Sequence, residues 1–201
     1  MMKMAQKTAL SVCRDIIRSL PAPYDQYDIV TYSDDGYGSW TITNSPEDVD
    51  RGFVTKETVS EDVTAIRVVF YPDYLSLVTM IMGRKHRGQG CESKIIDLLL
   101  EKSKELRMPL VVVEVDEEFD SLVEGKELKE SVTRIDTTTA YSVLKIFVIS
   151  EPDLQKEHEA VEEEIREFYL NRPEEHIKAE HEALQNHKAP LTPNNTFTKQ
   201  D

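Results

Sequence analysis

Cysteine is scarce in this chain, and so are glycine and tryptophan: 201 residues hold two Cys, seven Gly and one Trp. Two thiols, Cys13 and Cys91, cannot form a disulfide framework and point to a reducing, cytoplasmic compartment. Long apolar runs are also missing. No stretch reaches the ~18 residues that a transmembrane helix needs, so no membrane partner is expected. The N-terminal stretch has no continuous apolar segment of signal-peptide length, because Arg14 and Asp15 interrupt it. Basic residues are outnumbered 24 to 38, giving a net charge of -14. Such a balance repels nucleic acid and anionic membranes and argues against both as partners. It leaves room for an enzyme, for a module that captures a basic partner, and for an acidic nucleic-acid mimic. No internal repeat is visible.

An apolar fraction of 39% is enough for a real core. The spacing of Ala9, Val12, Cys13, Ile16 and Leu20 predicts a helix over Met4–Leu20, stopped by Pro21 and Pro23. Short strands are expected at Asp28–Tyr32 and Ser39–Thr43, and Ser45–Asp48 reads as a helix start or a loop. Thr64–Tyr71 and Tyr74–Met82, rich in β-branched and aromatic residues, form the strongest strand pair, a hairpin turning at Pro72-Asp73. Cys91–Met108 carries an apolar helical face (Ile95, Ile96, Leu99), and Leu110–Val115 reads as a buried strand. Strand, helix and strand at this spacing imply a crossover between parallel strands. Asp116–Asp136 is expected to be a loop plus a short helix. Thr137–Ile149 reads as a strand over Val143–Ile149, with a helix over Ala140–Lys145 also open.

Composition shifts at Glu151. Residues 151–201 hold 13 acids and 6 bases, half of the whole net charge. Three units are therefore expected: a mixed α/β domain over 1–150, an acidic helical extension over 151–188, and a disordered tail over 189–201. The extension could serve as an arm for a basic protein partner. His158, His176, His181 and His187 sit among glutamates with no i, i+4 pair, so surface positions and no metal site are expected.

The chemistry-bearing stretch is Met80–Val115. Between its first strand and its helix lies Arg84-Lys85-His86-Arg87-Gly88-Gln89-Gly90, with three full positive charges and no acid. A glycine turn opening a helix is a natural anion site, because free backbone N–H groups and the helix dipole point at the ligand. The P-loop spacing starts correctly at Gly83 and Gly88, but Gln89-Gly90 stand where Lys-Ser/Thr is required. A dinucleotide fingerprint lacks its third glycine.

A better match is motif A of the GNAT superfamily of acyl-CoA N-acyltransferases, which Met80–Val115 resembles. That motif is an apolar strand, (Arg/Gln)-x-x-Gly-x-(Gly/Ala), a long helix and an apolar parallel strand, and Arg87-Gly88-Gln89-Gly90 stand at its tetrad. The resemblance implies a GNAT-like mixed sheet, split beside the motif strand, with helices on both faces. It further implies acetyl-CoA as co-substrate and a small-molecule or protein amine as acceptor. Arg87, Gly88, Gln89, Gly90, Cys91 and Ser93 would cradle the pyrophosphate, and the backbone of Met80 and Met82 would serve the pantetheine arm. For the transfer, Glu114, a lone acid among valines, is the candidate general base and Tyr141 the candidate general acid. Glu92 stands where the family carries Gly or Ala, and Leu144 where it carries Tyr. Those two positions motivate a second reading, a catalytically inactive GNAT-like module with an acidic interaction arm.

Overall fold

Residues 2–34, 37–49, 61–113, 131–138 and 143–170 are described by the computed structural model of the chain. Helix α1 (Met2–Ser19) opens it. Ala9, Val12, Cys13 and Ile16 recur every three to four residues and are all buried, so one stripe faces the core. Burial pushes the Cys13 thiol up to about 12.

Strands β1 (Asp28–Asp34) and β2 (Tyr37–Thr43) pair antiparallel, each longer than its sequence suggests. A one-turn helix α2 (Pro46–Val49) follows. Strands β3 (Ala65–Phe70) and β4 (Leu75–Ile81) form the expected hairpin, closed by Tyr71 N–H donating to the Tyr74 carbonyl at 3.0 Å. Helix α3 (Cys91–Leu106) carries the chain to β5 (Leu110–Val112), which lies parallel to β4. Strands β6 (Ser131–Thr138) and β7 (Val143–Ser150) and helix α4 (Gln155–Leu170) complete the described chain.

The seven strands make one mixed sheet in the order β1-β2-β3-β4-β5-β7-β6. Every pairing is antiparallel except β4 with β5. The mixed α/β fold expected from the sequence is therefore present. On one face the main core joins α1 and α3 to the sheet through Ile16, Ile42, Ile66, Leu75, Ile95, Leu99 and Leu110. The other face is covered by α4, whose Val161 and Ile165 meet Val111, Ile135, Ile146 and Val148. No helix among the described residues is long and apolar enough to cross a membrane.

Three expectations need correction. Ser131–Asp136, assigned to a loop and short helix, lies in strand β6. Its polar residues hid the alternation in which Ile135 and Thr137 are buried while Arg134 and Asp136 are exposed. The helix considered over Ala140–Lys145 is excluded at Val143–Lys145, which belong to β7. Strand β7 lies between β5 and β6, and a strand buried on both faces keeps the unbroken apolar run Ile146–Ile149 rather than an alternating one.

The third correction concerns the acidic segment after Glu151. Over Gln155–Leu170 it is a packed layer of the fold, because Leu154, His158, Val161 and Ile165 form a buried stripe at helical spacing. His158, expected at the surface, is only 3% exposed. Its Nδ1 lies 2.8 Å from Ser150 Oγ and its Nε2 lies 2.8 Å from Thr133 Oγ1, so one imidazole joins α4 to both β6 and β7. Thr133 also reaches the Glu162 carboxylate. Burial raises that carboxyl's pKa, but the hydrogen bonds from Arg166 and Thr133 and the charge of Arg166 outweigh it and hold the group below its ordinary value. Glu174–Leu184 and the tail from Ala189 lie outside the described residues.

Replacing His158 by Ala removes the imidazole partner of the buried Ser150 hydroxyl, leaves Thr133 with Glu162 alone among the described residues, and opens a cavity beneath α4. The expected cost is about 3 kcal/mol of folding stability. Urea denaturation of His158→Ala against the parent checks this; a loss under about 0.5 kcal/mol, the scale of an ordinary surface substitution, would contradict the bridging role.

Candidate functional site

Strand β4 changes character halfway along. Val68 pairs with Leu77 but Arg67 pairs with Thr79, so Val78 is an extra residue and forms a bulge. On its other side β4 pairs with β5 over Leu75–Leu77 among the described residues, extended by Val113 N–H donating to the Leu77 carbonyl at 2.8 Å. Beyond that point Val78, Thr79 and Met80 are half-buried, in contrast to the buried Leu75–Leu77. The described pairing of β4 with β5 thus reaches as far as the bulge. Glu114, the next residue after Val113, and Tyr141 both lie outside the described residues.

From Ile81 the chain enters the basic turn, and the turn is held from beneath. Gly83 is buried, and its N–H donates to Thr64 Oγ1 at 3.0 Å. Thr64 Oγ1 in turn lies 3.1 Å from His86 Nδ1. The His86 N–H donates back to the Gly83 carbonyl at 2.7 Å, and the Arg84 N–H donates to the Glu61 carbonyl at 2.6 Å. The segment 61–64 is itself fastened to the end of β2. Asn44 accepts the Thr64 N–H at 2.8 Å and donates its amide to the Asp62 carbonyl at 3.1 Å.

The outer part of the turn is built differently. Gly88 and Gly90 have φ of 71° and 73°, the left-handed region where a side chain is strained. A Cβ at either glycine would meet nothing within 4 Å, so glycine is required by backbone conformation and the space above stays open. Gly90 is the N-cap of α3 and offers no side chain to its first turn. Uncapped N–H groups at a helix start carry partial positive charge.

The three positive charges are not equivalent. Arg84 pairs with Glu61. Arg87 is exposed, and among the described residues only its Nε is engaged, donating to the Met82 carbonyl at 2.9 Å, so its terminal amino groups have no partner there. The Lys85 side chain is exposed, while its carbonyl accepts the Gln89 side-chain amide at 2.6 Å. Among the described residues Lys85 and Arg87 have no acidic partner and remain to face an anion.

Of the residues expected to hold the cofactor, Arg87, Gly88, Gln89 and Gly90 come together as an exposed rim. Ser93 is half-buried in the first turn of α3. Cys91 and Met82 are inside, at 3% and 4% exposure, so any role at the rim falls to their backbone. The Cys91 thiol is not activated: burial first, and then the charge of Glu92, raise its pKa, and Lys94 only partly offsets them. Glu92 is half-buried at the helix start, the one carboxylate in the first turn. Among the described residues no group of three His, Cys, Asp or Glu side chains could hold a metal ion.

Sequence reasoning missed Thr64, Asn44 and Glu61. The hairpin register places Ala65 opposite Ile81, which sets Thr64 beside the start of the turn. That register was the available signal for Thr64, but nothing in sequence spacing reaches Asn44.

No family model and no curated protein matches the chain. Two solved structures are similar to it. A candidate acetyltransferase from Agrobacterium tumefaciens shares 9% identity over 62% of this chain and 74% of its own, at a TM-score of 0.34. A candidate acetyltransferase of the GNAT family from Bacteroides thetaiotaomicron shares 8% over 66% of this chain and 72% of its own, at 0.37. At that overlap neither bears on the chemistry of this chain, and the fold described above rests on its own strand pairing.

The support under the turn leaves no room for a methyl group at Gly83. A Cβ there would sit 2.6 Å from the Asp62 carbonyl oxygen, a backbone atom fastened by Asn44. Gly83→Ala is expected to cost about 1–3 kcal/mol, typical of overpacking. Thermal and urea unfolding check it; a variant as stable as the parent would show that the turn is loosely seated.

Proposed function

We propose that the chain is an N-acyltransferase that takes an acyl group from a coenzyme A thioester, acetyl-CoA in the first instance, and passes it to an amine. The observation that carries this reading is the pair of left-handed glycines over an uncapped helix start, at the opening of a crossover between parallel strands. Such a surface suits a pyrophosphate: the space above Gly88 and Gly90 is open at a helix start, and Lys85 and Arg87 stand exposed at the rim. The groups present therefore fit the phosphate end of coenzyme A.

In this reading Gly88, Gln89, Gly90, Cys91 and Ser93 offer backbone groups to the pyrophosphate, with Arg87 closing the rim. The bulged, half-buried end of β4 at Met80 would receive the pantetheine arm. When bound, the thioester supplies an acyl group already activated toward an amine. As the amine nitrogen bonds to the acyl carbon and the C–S bond breaks, Glu114 is assigned to take the amine's proton and Tyr141 to protonate the departing coenzyme A thiolate. A cytoplasmic site of action follows from the same reading.

Glu92 favours a second reading, a module that keeps the cradle but not the turnover. Its carboxylate already faces the positive end of α3 and opposes a polyanion there. Coenzyme A binding with no acyl transfer to any amine would select it.

Isothermal calorimetry with acetyl-CoA tests the main reading. Binding to the parent is expected, with a loss of about tenfold or more in Arg87→Ala/Gly90→Glu, as removal of a charge-assisted contact and addition of a carboxylate require. Glu92→Gln should bind more tightly. No heat at millimolar ligand, or equal affinity in the double variant, would overturn the proposal.

A further inference from the structure

The turn's inner bonds form a closed unit. Gly83 N–H is buried and must find an acceptor, which is Thr64 Oγ1 at 3.0 Å. Thr64 is fully buried, and its hydroxyl proton also needs a destination. Among the described residues the one acceptor in reach is His86 Nδ1 at 3.1 Å. Thr64 thus accepts from Gly83 and donates to His86, which leaves Nδ1 unprotonated and puts the ring proton on Nε2. Tyr27 completes the surroundings. Its hydroxyl lies 3.4 Å from both His86 Nδ1 and the Pro21 carbonyl. With the Nδ1 lone pair taken by the nearer Thr64, Tyr27 donates to Pro21. The His86 backbone N–H then closes the loop onto the Gly83 carbonyl at 2.7 Å.

We propose that Thr64 and His86 are positioning residues of the anion cradle: their hydroxyl–imidazole bond fixes the exit of β4 at Gly83 and thereby sets where Gly88–Ser93 present their N–H groups. This rests on the coenzyme A reading given above. Both residues act from beneath the turn, while Arg87 and the two left-handed glycines form its outer rim. Holding a turn in its bound conformation before ligand arrives lowers the ordering cost of binding, so the effect appears in affinity.

The experiment combines calorimetry with NMR on the full chain, using coenzyme A as the probe. Thr64→Val keeps the shape and removes the hydroxyl, and should weaken binding about tenfold, the equivalent of one lost buried hydrogen bond. Thr64→Ser restores the hydroxyl and should return affinity to within about twofold of the parent, a rescue that packing alone would not give. Long-range ¹H–¹⁵N correlation of the His86 ring should show a single Nε2–H tautomer in the parent, lost in Thr64→Val. Parent binding that is equally tight in Thr64→Val, or an Nδ1–H tautomer in the parent, overturns the positioning role and leaves the coenzyme A reading standing. Failure of the parent to bind coenzyme A overturns both.

Discussion

The parallel pairing of β4 with β5 is the constraint on which the rest of this structure depends. Parallel neighbours cannot be joined by a tight turn, so a long connection must leave the end of β4, cross a face of the sheet and return. Helix α3 makes that crossing, and its apolar stripe of Ile95, Ile96, Leu99 and Leu100 is buried in the main core. Among the described residues three pairs join the two strands, and β4 bulges next at Val78. The bulge and the helix start converge at one end of the sheet, the end where the basic glycine turn lies.

The turn is rigid on one side and open on the other, and the division follows from which backbone groups are buried. Gly83, inside the protein, has its N–H and carbonyl both satisfied by Thr64 and His86. Gly88 and Gly90, outside, take a backbone conformation that other residues avoid and have nothing above them. A site that must receive a polyanion repeatedly needs this combination: fixed donors, so that ordering is not paid on each encounter, and unobstructed space. Against it stands Glu92, whose carboxylate stabilises the helix start at the ligand's expense.

Much of this was legible in the sequence, for identifiable reasons. The α1 and α3 faces, the Pro72-Asp73 hairpin and the crossover rest on local periodicity and turn chemistry, which act over a few residues. The glycine turn was legible because Gly, Arg and Lys concentrate there in an acidic, glycine-poor chain. Strand β6 was obscured because six of its eight residues are polar and it lies at a sheet edge, with Arg134 and Asp136 exposed, so its composition resembles a loop. Buried His158 was missed because the glutamates beside it in sequence suggest a surface position, whereas its hydrogen-bond partners Ser150 and Thr133 come to it from two strands. Similarly, three cations were counted in the turn without the knowledge that Glu61 pairs with one of them. Such errors arise from partners distant along the chain, which no window of sequence contains. Glu114 and Tyr141 rest on sequence alone.

The central claim is that the backbone from Gly88 to Ser93 is an anion cradle shaped for coenzyme A. Titrating ¹⁵N-labelled protein with coenzyme A while following backbone amide resonances tests it most directly. The account predicts saturable shifts concentrated at Gly88, Gly90, Cys91, Glu92 and Ser93, the amides of the turn and the first turn of α3. Saturable shifts clustered elsewhere, or none at those amides up to millimolar ligand, would contradict it.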